Sequence, residues 1–230
     1  MKLIINDTLI KRNKKIGNIL SFLGIAILAS GLVLNLKPTP QKTLISFGAL
    51  IVGFIIAQIS TYYVTKFGRR PRFDELINDN LSRLNNNYAF FVYSSPVPML
   101  LTGPYGIWIP IPVAASGEIV YDKKWKQHGG GFLLKLFGQE NIGRPQVDAD
   151  SNVKVLQDFL EKHFSAEEMP TIKPILVSLH PKAVIGDVEN APLPIVQLDG
   201  LRRYIRKIDR KVEEELSAET LDKLNQLLGG

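Results

Sequence analysis

"GPYGIWIPIPVAASGEI", Gly103 to Ile119, reads as a tight turn, an apolar strand and the start of a second strand. The turn is Gly103-Pro104-Tyr105-Gly106, rich in the residues that set turn backbones. The middle of the strand, Ile109-Pro110-Ile111-Pro112-Val113, has no ionisable side chain. Between Met99 and Gly117 there is no Asp, Glu, Lys, Arg or His at all. A strand in this position is either part of a structural core or an active site emptied of its chemistry.

The segments on either side give the surrounding architecture. Phe73 to Asn86 places Phe73, Leu76, Ile77, Leu81 and Leu84 at helical spacing. "YAFFVYSS", Tyr88 to Ser95, and "PMLLT" read as strands, and "GEIVYD" continues the sheet. "KKWKQHGGGF" reads as a loop, and Phe132 to Phe137 as one or two helical turns. "DADSNVKVLQDFLEKHF" is an amphipathic helix with Asp148 or Asp150 as cap and Val153, Leu156, Phe159 and Leu160 as its stripe. "IKPILVSLH" and "PLPIVQL" are strands. "DGLRRYIRKID" is a short basic helix with Leu201, Tyr204 and Ile205 on one face. Ser217 opens a last helix with Leu221, Leu224 and Leu228 inward.

Upstream the character changes. Ile16 to Leu36 and Thr43 to Val64 are 21 and 22 residues without a charge. Each is long enough to cross a hydrocarbon core of roughly 30 Å. A signal peptide is an alternative for the first, but the immediate second span makes a hairpin more economical. Lys11, Arg12, Lys14 and Lys15 precede the pair, and Lys66, Arg69, Arg70 and Arg72 follow it. The positive-inside rule then sets both termini in the cytoplasm and the short "KPTPQK" loop outside. Gly17, Gly24 and Gly31 recur every seven residues, and Ala49, Gly53 and Ala57 every four. Such rows allow close helix approach, either within the hairpin or between copies of the chain. The spans hold no ionisable group, which argues against a transport path.

The chain of 230 residues is therefore expected to comprise a basic tail (1–15), a transmembrane hairpin (16–64, with spans 16–36 and 43–64), a basic linker (65–72) and a domain (73–230). The expected fold class is two transmembrane α-helices followed by an α/β (α+β) domain, a mixed β-sheet flanked by helices. The expected location is the cell (inner) membrane of a prokaryote, multi-pass.

Charge and composition exclude several functions. Residues 1–72 carry 11 Lys and Arg against one acid, a net +10, while residues 73–230 carry 17 against 21, a net −4. A nucleic-acid binder would concentrate its cations on the soluble part. There is no cysteine, and His128, His163 and His180 lack zinc-ligand spacing, so no metal and no cofactor is expected. "HGGG" at His128 to Gly131 lacks the Gly-x-Ser-x-Gly elbow that an esterase would need. Glu213-Glu214-Glu215 reads as an exposed linker. "KKWKQ" and "RRYIRK" interleave cations with aromatics, as solvated faces, anionic-lipid surfaces or nucleic-acid surfaces do.

Several of these pieces, in order, resemble a nuclease-related domain, a branch of the PD-(D/E)xK nuclease fold. They are the helix with Glu75 and Leu81, "LLTGPYGIWIPIPVAASGEI", Trp125, "GRPQVDADSNVKVLQDFL", "IKPILVSLHPKAVI" and "PIVQLDGLRRYIRK", spanning roughly residues 73–228. The resemblance implies a restriction-endonuclease-like fold. It also implies a site with an aspartate just before the Gly-Pro turn and a Glu-x-Lys on the next strand, holding a divalent cation. Those positions fall at Pro98, Ile111 and Val113, which neither ligate a metal nor carry a proton. Glu75, Glu118 and Asp122 are the remaining acids from which a migrated site would be built.

Three readings follow. One is a non-catalytic cytoplasmic module, held at the lipid bilayer, that binds an unidentified protein, a membrane surface or, weakly, nucleic acid. The second is a membrane-tethered nuclease with a migrated site. The third is a structural subunit whose hairpin assembles through Gly24, Gly31, Gly53 and Ala57 into a homo-oligomer.

Overall fold

A computed structural model describes residues 1–37, 39–129 and 142–229, which divide into two compact units. One is Asp7–Arg72; the other combines Met1–Asn6 with Phe73–Gly230. The expected helical turns at Phe132 to Phe137 and the glycines Gly130 and Gly131 lie outside the described residues.

The first unit is a helical hairpin. Helix α1 (Asp7–Leu34) begins well before the uncharged window, since lysine and arginine are good helix formers. Helix α2 (Pro40–Tyr63) opens with Pro40 in its first turn and with Thr39 Oγ1 accepting from the Lys42 N–H at 3.3 Å. A π turn, Val64–Gly68, extends it. Apart from Ile10, every buried residue of the two helices is glycine or serine: Gly17, Gly24 and Gly31 on α1, and Ser46, Gly53 and Ser60 on α2. Both rows repeat every seven residues, and they meet in antiparallel order. Ser60 Oγ donates to Gly17 O at 3.1 Å, Ser46 Oγ donates to Gly31 O at 2.6 Å, and Gly24 and Gly53 pass between. The α1 glycines thus face a second seven-residue row, Ser46-Gly53-Ser60, with Ala49 and Ala57 packed beside it against Gly31 and Gly24. A seven-residue period keeps one seam aligned between supercoiled helices, whereas a four-residue row drifts off it.

The larger apolar side chains of the hairpin point outward. Among the described residues, every exposed large apolar side chain except Leu3, Val147, Val155 and Val184 lies between Ile19 and Val64. Both helices are long and apolar enough to cross a membrane, and only 17% of each apolar window is buried. The core helix of a soluble protein would bury most of that surface.

The second unit is an α/β domain with a mixed six-stranded sheet in the order β1-β2-β3-β4-β7-β9. Its strands are β1 (Lys2–Ile5), β2 (Ala89–Val92), β3 (Met99–Gly103), β4 (Gly106–Val113), β7 (Ile172–Ser178) and β9 (Ile195–Gln197). β1 pairs parallel with β2, so the segment expected to be a tail is divided between an edge strand and the start of α1. β2-β3-β4 is an antiparallel meander, and β4, β7 and β9 run parallel. A smaller sheet has the order β6-β5-β8, with β5 (Gly117–Asp122), β6 (Lys124–His128) and β8 (Ala183–Ile185). "GEIVYD" therefore belongs to this second sheet, and "KWKQH" is a strand where a loop is expected. Its inward residue is Trp125, which packs edge-on to Tyr121 at 5.3 Å.

Two prolines sit inside the central strand β4, where a missing N–H would ordinarily break the ladder. The Ile107 N–H donates to Thr171 O on the β7 side. Donors alternate along a strand, so the N–H positions of Pro110 and Pro112 face β3. There the pairing stops at Leu101 with Trp108, and no ladder bond is lost.

Helix α4 (Pro145–Leu160) covers one sheet face with Ala149, Leu156 and Leu160, against Ile107, Ile109, Ile111, Val113 and Leu176. It starts at Pro145 after Arg144, which makes no side-chain cap; Asp148 and Asp150 lie inside its first turns, not at the cap. Helix α6 (Ala218–Gly229) adds Leu224 and Leu228 to this core, with Ser217 Oγ accepting from the Thr220 N–H at 3.0 Å. Helices α3 (Phe73–Leu81) and α5 (Leu201–Asp209) lie on the opposite face and bury Ile77, Leu81, Leu201 and Ile205. Burying each large apolar side chain contributes roughly 1.5–3 kcal/mol.

Candidate functional site

Pro98 precedes β3, and the β3–β4 pairing ends at Leu101 with Trp108, short of Ile111 and Val113. Ile111 is 4% exposed and Val113 1% exposed, both within the apolar core beneath α4. The Pro98 carbonyl accepts from the Tyr93 N–H at 2.9 Å in the β2–β3 turn. Ile111 and Val113 are thus core positions, and Pro98 lies in the connection between β2 and β3.

The remaining acids do not converge. Glu75 is in the first turn of α3, on the opposite side of the large sheet from the small sheet that carries Glu118 and Asp122. Those two share β5 four residues apart, about 13 Å along a strand. Asp122 pairs with Lys126 at 2.5 Å; that hydrogen bond, then the charge of Lys126, holds its carboxyl below the usual range. Among the described residues, no three His, Cys, Asp or Glu side chains are grouped to hold a metal ion.

The hairpin residues are spoken for within the hairpin. A Cβ on Gly53 would lie 2.7 Å from Leu28, and one on Gly31 3.1 Å from Ala49. Gly24 lies against Ile56 and Ala57. Gly24, Gly31, Gly53 and Ala57 therefore form the contact between α1 and α2. Replacing them disturbs the hairpin before it reports on assembly. Lys11, Arg12, Lys14 and Lys15 lie on α1, and Lys66 on the π turn beside Tyr62, its Nζ 3.1 Å from the hydroxyl. Arg69, Arg70 and Arg72 follow it, and each makes at least one interaction.

A polar cluster that pattern alone does not disclose lies at the Gly103–Gly106 turn. Asp209, at the last turn of α5, is 2% exposed. It accepts from Tyr88 Oη at 2.7 Å, Trp108 Nε1 at 3.1 Å and Lys173 Nζ at 3.4 Å. Lys173 also donates to Tyr105 O at 2.8 Å and lies 5.2 Å from the centre of the Trp108 ring. Burial, then the hydrogen bond to Asp209, pushes the Tyr88 hydroxyl well above its ordinary range. Two glycines make room. A side chain at Gly103 would collide with the Tyr88 ring, and Gly106 has φ +120° with Thr171 O 2.6 Å from where a Cβ would stand. Tyr105 bonds to Glu215, which raises its pKa, and the Leu216 N–H donates to Pro104 O at 2.7 Å.

A carboxylate with three donors and almost no exposure has little capacity left for a ligand. A negative charge at a helix C-terminus is also unfavourable against the macrodipole, so the three donors offset a real cost. What the cluster does is fasten α5. Tyr204 stands edge-on to Trp108 at 6.2 Å, and burial raises its pKa. With Leu201, Ile205 and Asp209 inward, Arg203, Arg206, Lys207, Arg210 and Lys211 are left exposed on the other side, and Arg202 half-buried. This fixed cationic face is the most distinctive surface of the α/β unit.

No protein-family model, curated protein or solved structure matches the chain.

Proposed function

We propose that the chain is a membrane-tethered, non-catalytic interaction module whose α/β domain is a nuclease-like fold without a nuclease site. The observation that carries this reading is the burial of Ile111 and Val113 in the apolar core, at the positions where the resembled family carries its acid and lysine. The order α3-β2-β3-β4-β5-β6-α4-β7 supports the relation to that fold. Tethering is supported by the exposed apolar surface of both hairpin helices. The β1–β2 pairing supports a single side of the membrane for residues 1–6 and 73–230, because paired strands cannot lie on opposite sides. The cations at both ends of the hairpin support the cytoplasmic side, and with it the inner membrane.

The test is cleavage of DNA and RNA by the full chain with Mg²⁺ or Mn²⁺, beside Glu75→Ala and Glu118→Ala/Asp122→Ala. The full chain is required because β1 belongs to the sheet. The expected result is no cleavage above background. Cleavage that disappears in either variant would establish a migrated site and sink the reading.

A further inference from the structure

We propose that the cationic face of α5 docks on anionic phospholipid headgroups; this rests on the membrane-tethered reading above. Six cations, Arg202, Arg203, Arg206, Lys207, Arg210 and Lys211, fall within ten residues. At 100° per residue Arg203, Arg206 and Lys207 cover about 100° of the helix, opposite Leu201 and Ile205, and Arg210 and Lys211 follow directly after its end. None of the six forms an ion pair among the described residues; Arg206 donates only to the Arg83 carbonyl, at 3.1 Å. The one acid within α5, Asp209, is buried and already engaged by Lys173. Glu213, Glu214 and Glu215 follow on the coil that leads to the β3–β4 turn, where Glu215 is taken by Tyr105. Asp199 is exposed just ahead of the helix, and none of these acids lies within ion-pair distance of the six cations.

Two observations favour a lipid surface over nucleic acid. The first is place. α5 is bound to α3 through the Arg202 N–H and Asn80 Oδ1 at 3.1 Å, and α3 starts one residue after the hairpin unit ends at Arg72. A single packed helix, α3, therefore separates α5 from Phe73, where the domain follows the hairpin in the chain. The second is chemistry. Single-stranded nucleic acid is gripped by stacking bases on exposed aromatics. The only aromatic of α5, Tyr204, is turned inward against Trp108. The domain around the face is net acidic, residues 73–230 carrying 17 cations and 21 acids, which opposes long-range capture of a polyanion. A tethered domain needs no such capture.

The chain lacks cysteine, so Lys207→Cys provides a single labelling site. A fluorophore there is read in nanodiscs with nitroxide-headgroup lipid, in phosphatidylcholine alone and with about 30 mol % phosphatidylserine. Quenching is expected to be roughly two-fold to five-fold stronger with phosphatidylserine, and to return to the neutral-lipid level at about 0.5 M salt. Arg203→Glu/Arg210→Glu is expected to abolish the difference while tryptophan emission, to which Trp108 beside Asp209 contributes, stays unchanged. Equal quenching in both lipids overturns the proposal. Binding of an oligonucleotide in neutral discs, lost in the double variant, overturns it in favour of nucleic acid. Failure of the chain to co-migrate with lipid overturns the tethered reading, and this proposal with it.

Discussion

The hairpin and the α/β unit use the same residue types in opposite places. Phe22, Phe47 and Phe54 stand exposed on the hairpin, whereas Phe90 and Phe91 are fully buried in the sheet. Glycine and serine line the helix contact of the hairpin; in the α/β unit glycines cluster at turns such as Gly103 and Gly106. The polar groups are inverted too. The hairpin hides two serine hydroxyls on carbonyls, and the α/β unit hides a carboxylate with a lysine. On the membrane-tethered reading, the difference follows from solvent. Water drives apolar burial in one unit, so polar groups enter the core only with full sets of donors. Where the surroundings are as apolar as leucine, apolar burial gains nothing, and close packing through small residues decides the contact.

The largest break in this comparison comes from the buried carboxylate. Asp209→Ala would strand Lys173, Tyr88 and Trp108, and breaking a buried pair costs about 3–5 kcal/mol. Both tryptophans, Trp108 and Trp125, lie in the α/β unit, so denaturant unfolding followed by their fluorescence isolates it from the hairpin. Asp122→Ala removes the exposed pair with Lys126 and is expected to leave that curve unmoved, as surface pairs contribute little.

Next comes the glycine seam. Gly53→Leu would drive side-chain atoms into Leu28 and Ile27, and overpacking costs about 1–3 kcal/mol. Gly48, where an added Cβ meets nothing within 4 Å, is the control. Ser21 and Ser60 hydroxyls are 2.6 Å apart, so Ser21→Cys/Ser60→Cys gives a disulfide that reports the seam. Its oxidative yield should fall with Gly53→Leu and stay level with Gly48→Leu. The tryptophan unfolding curve should move with neither.

Alkali sharpens the other side. The Tyr88 hydroxyl is held neutral by burial and by Asp209, so its folded pKa lies above the ordinary value near 10. The folded state then binds the proton that the unfolded state releases. Stability is whole below about pH 10 and declines as pH rises through and beyond it. Tyr105 and Tyr204 shift in the same direction, so Tyr88→Phe should make the alkaline decline shallower without abolishing it. Chemical unfolding at a series of pH values checks the slope; an unchanged slope would remove Tyr88 from the account.

These units were not equally legible in sequence. The spans show as long uncharged windows, and α5 and α6 as short apolar stripes, because a helix writes its contacts locally. β1 does not: "KLII" is four residues long and its partner lies 87 positions on, from Lys2 to Ala89. β6 carries one apolar inward residue, Trp125, among polar ones, so period-two alternation has nothing to show. That Ile111 and Val113 are core positions was legible from the lack of any ionisable group between Met99 and Gly117. The Asp209 cluster was not, since Lys173 is 36 residues away and looks like any surface lysine. One local signal did exist. Asp209 stands four residues after Ile205 and eight after Leu201, on the buried stripe of α5, and an acid there demands donors.

The smallest expected effect tests whether the hairpin's polar bonds hold it together or merely accompany its packing. Ser46 donates to Gly31 O and Ser60 to Gly17 O, at the two ends of the seam. Interhelical hydrogen bonds of this kind average about 0.6 kcal/mol, because the separated helices find other partners for a hydroxyl. Ser46→Ala should therefore lower hairpin stability by roughly that much. Removing the oxygen also leaves room at the contact, so packing tightens where the bond is lost. If Ser46→Ala instead weakens the hairpin as much as Gly53→Leu, the seam is a hydrogen-bonded structure first, and the inversion between the two units is less complete than the burial pattern implies. The Ser21→Cys/Ser60→Cys yield, measured across a detergent titration, separates the two.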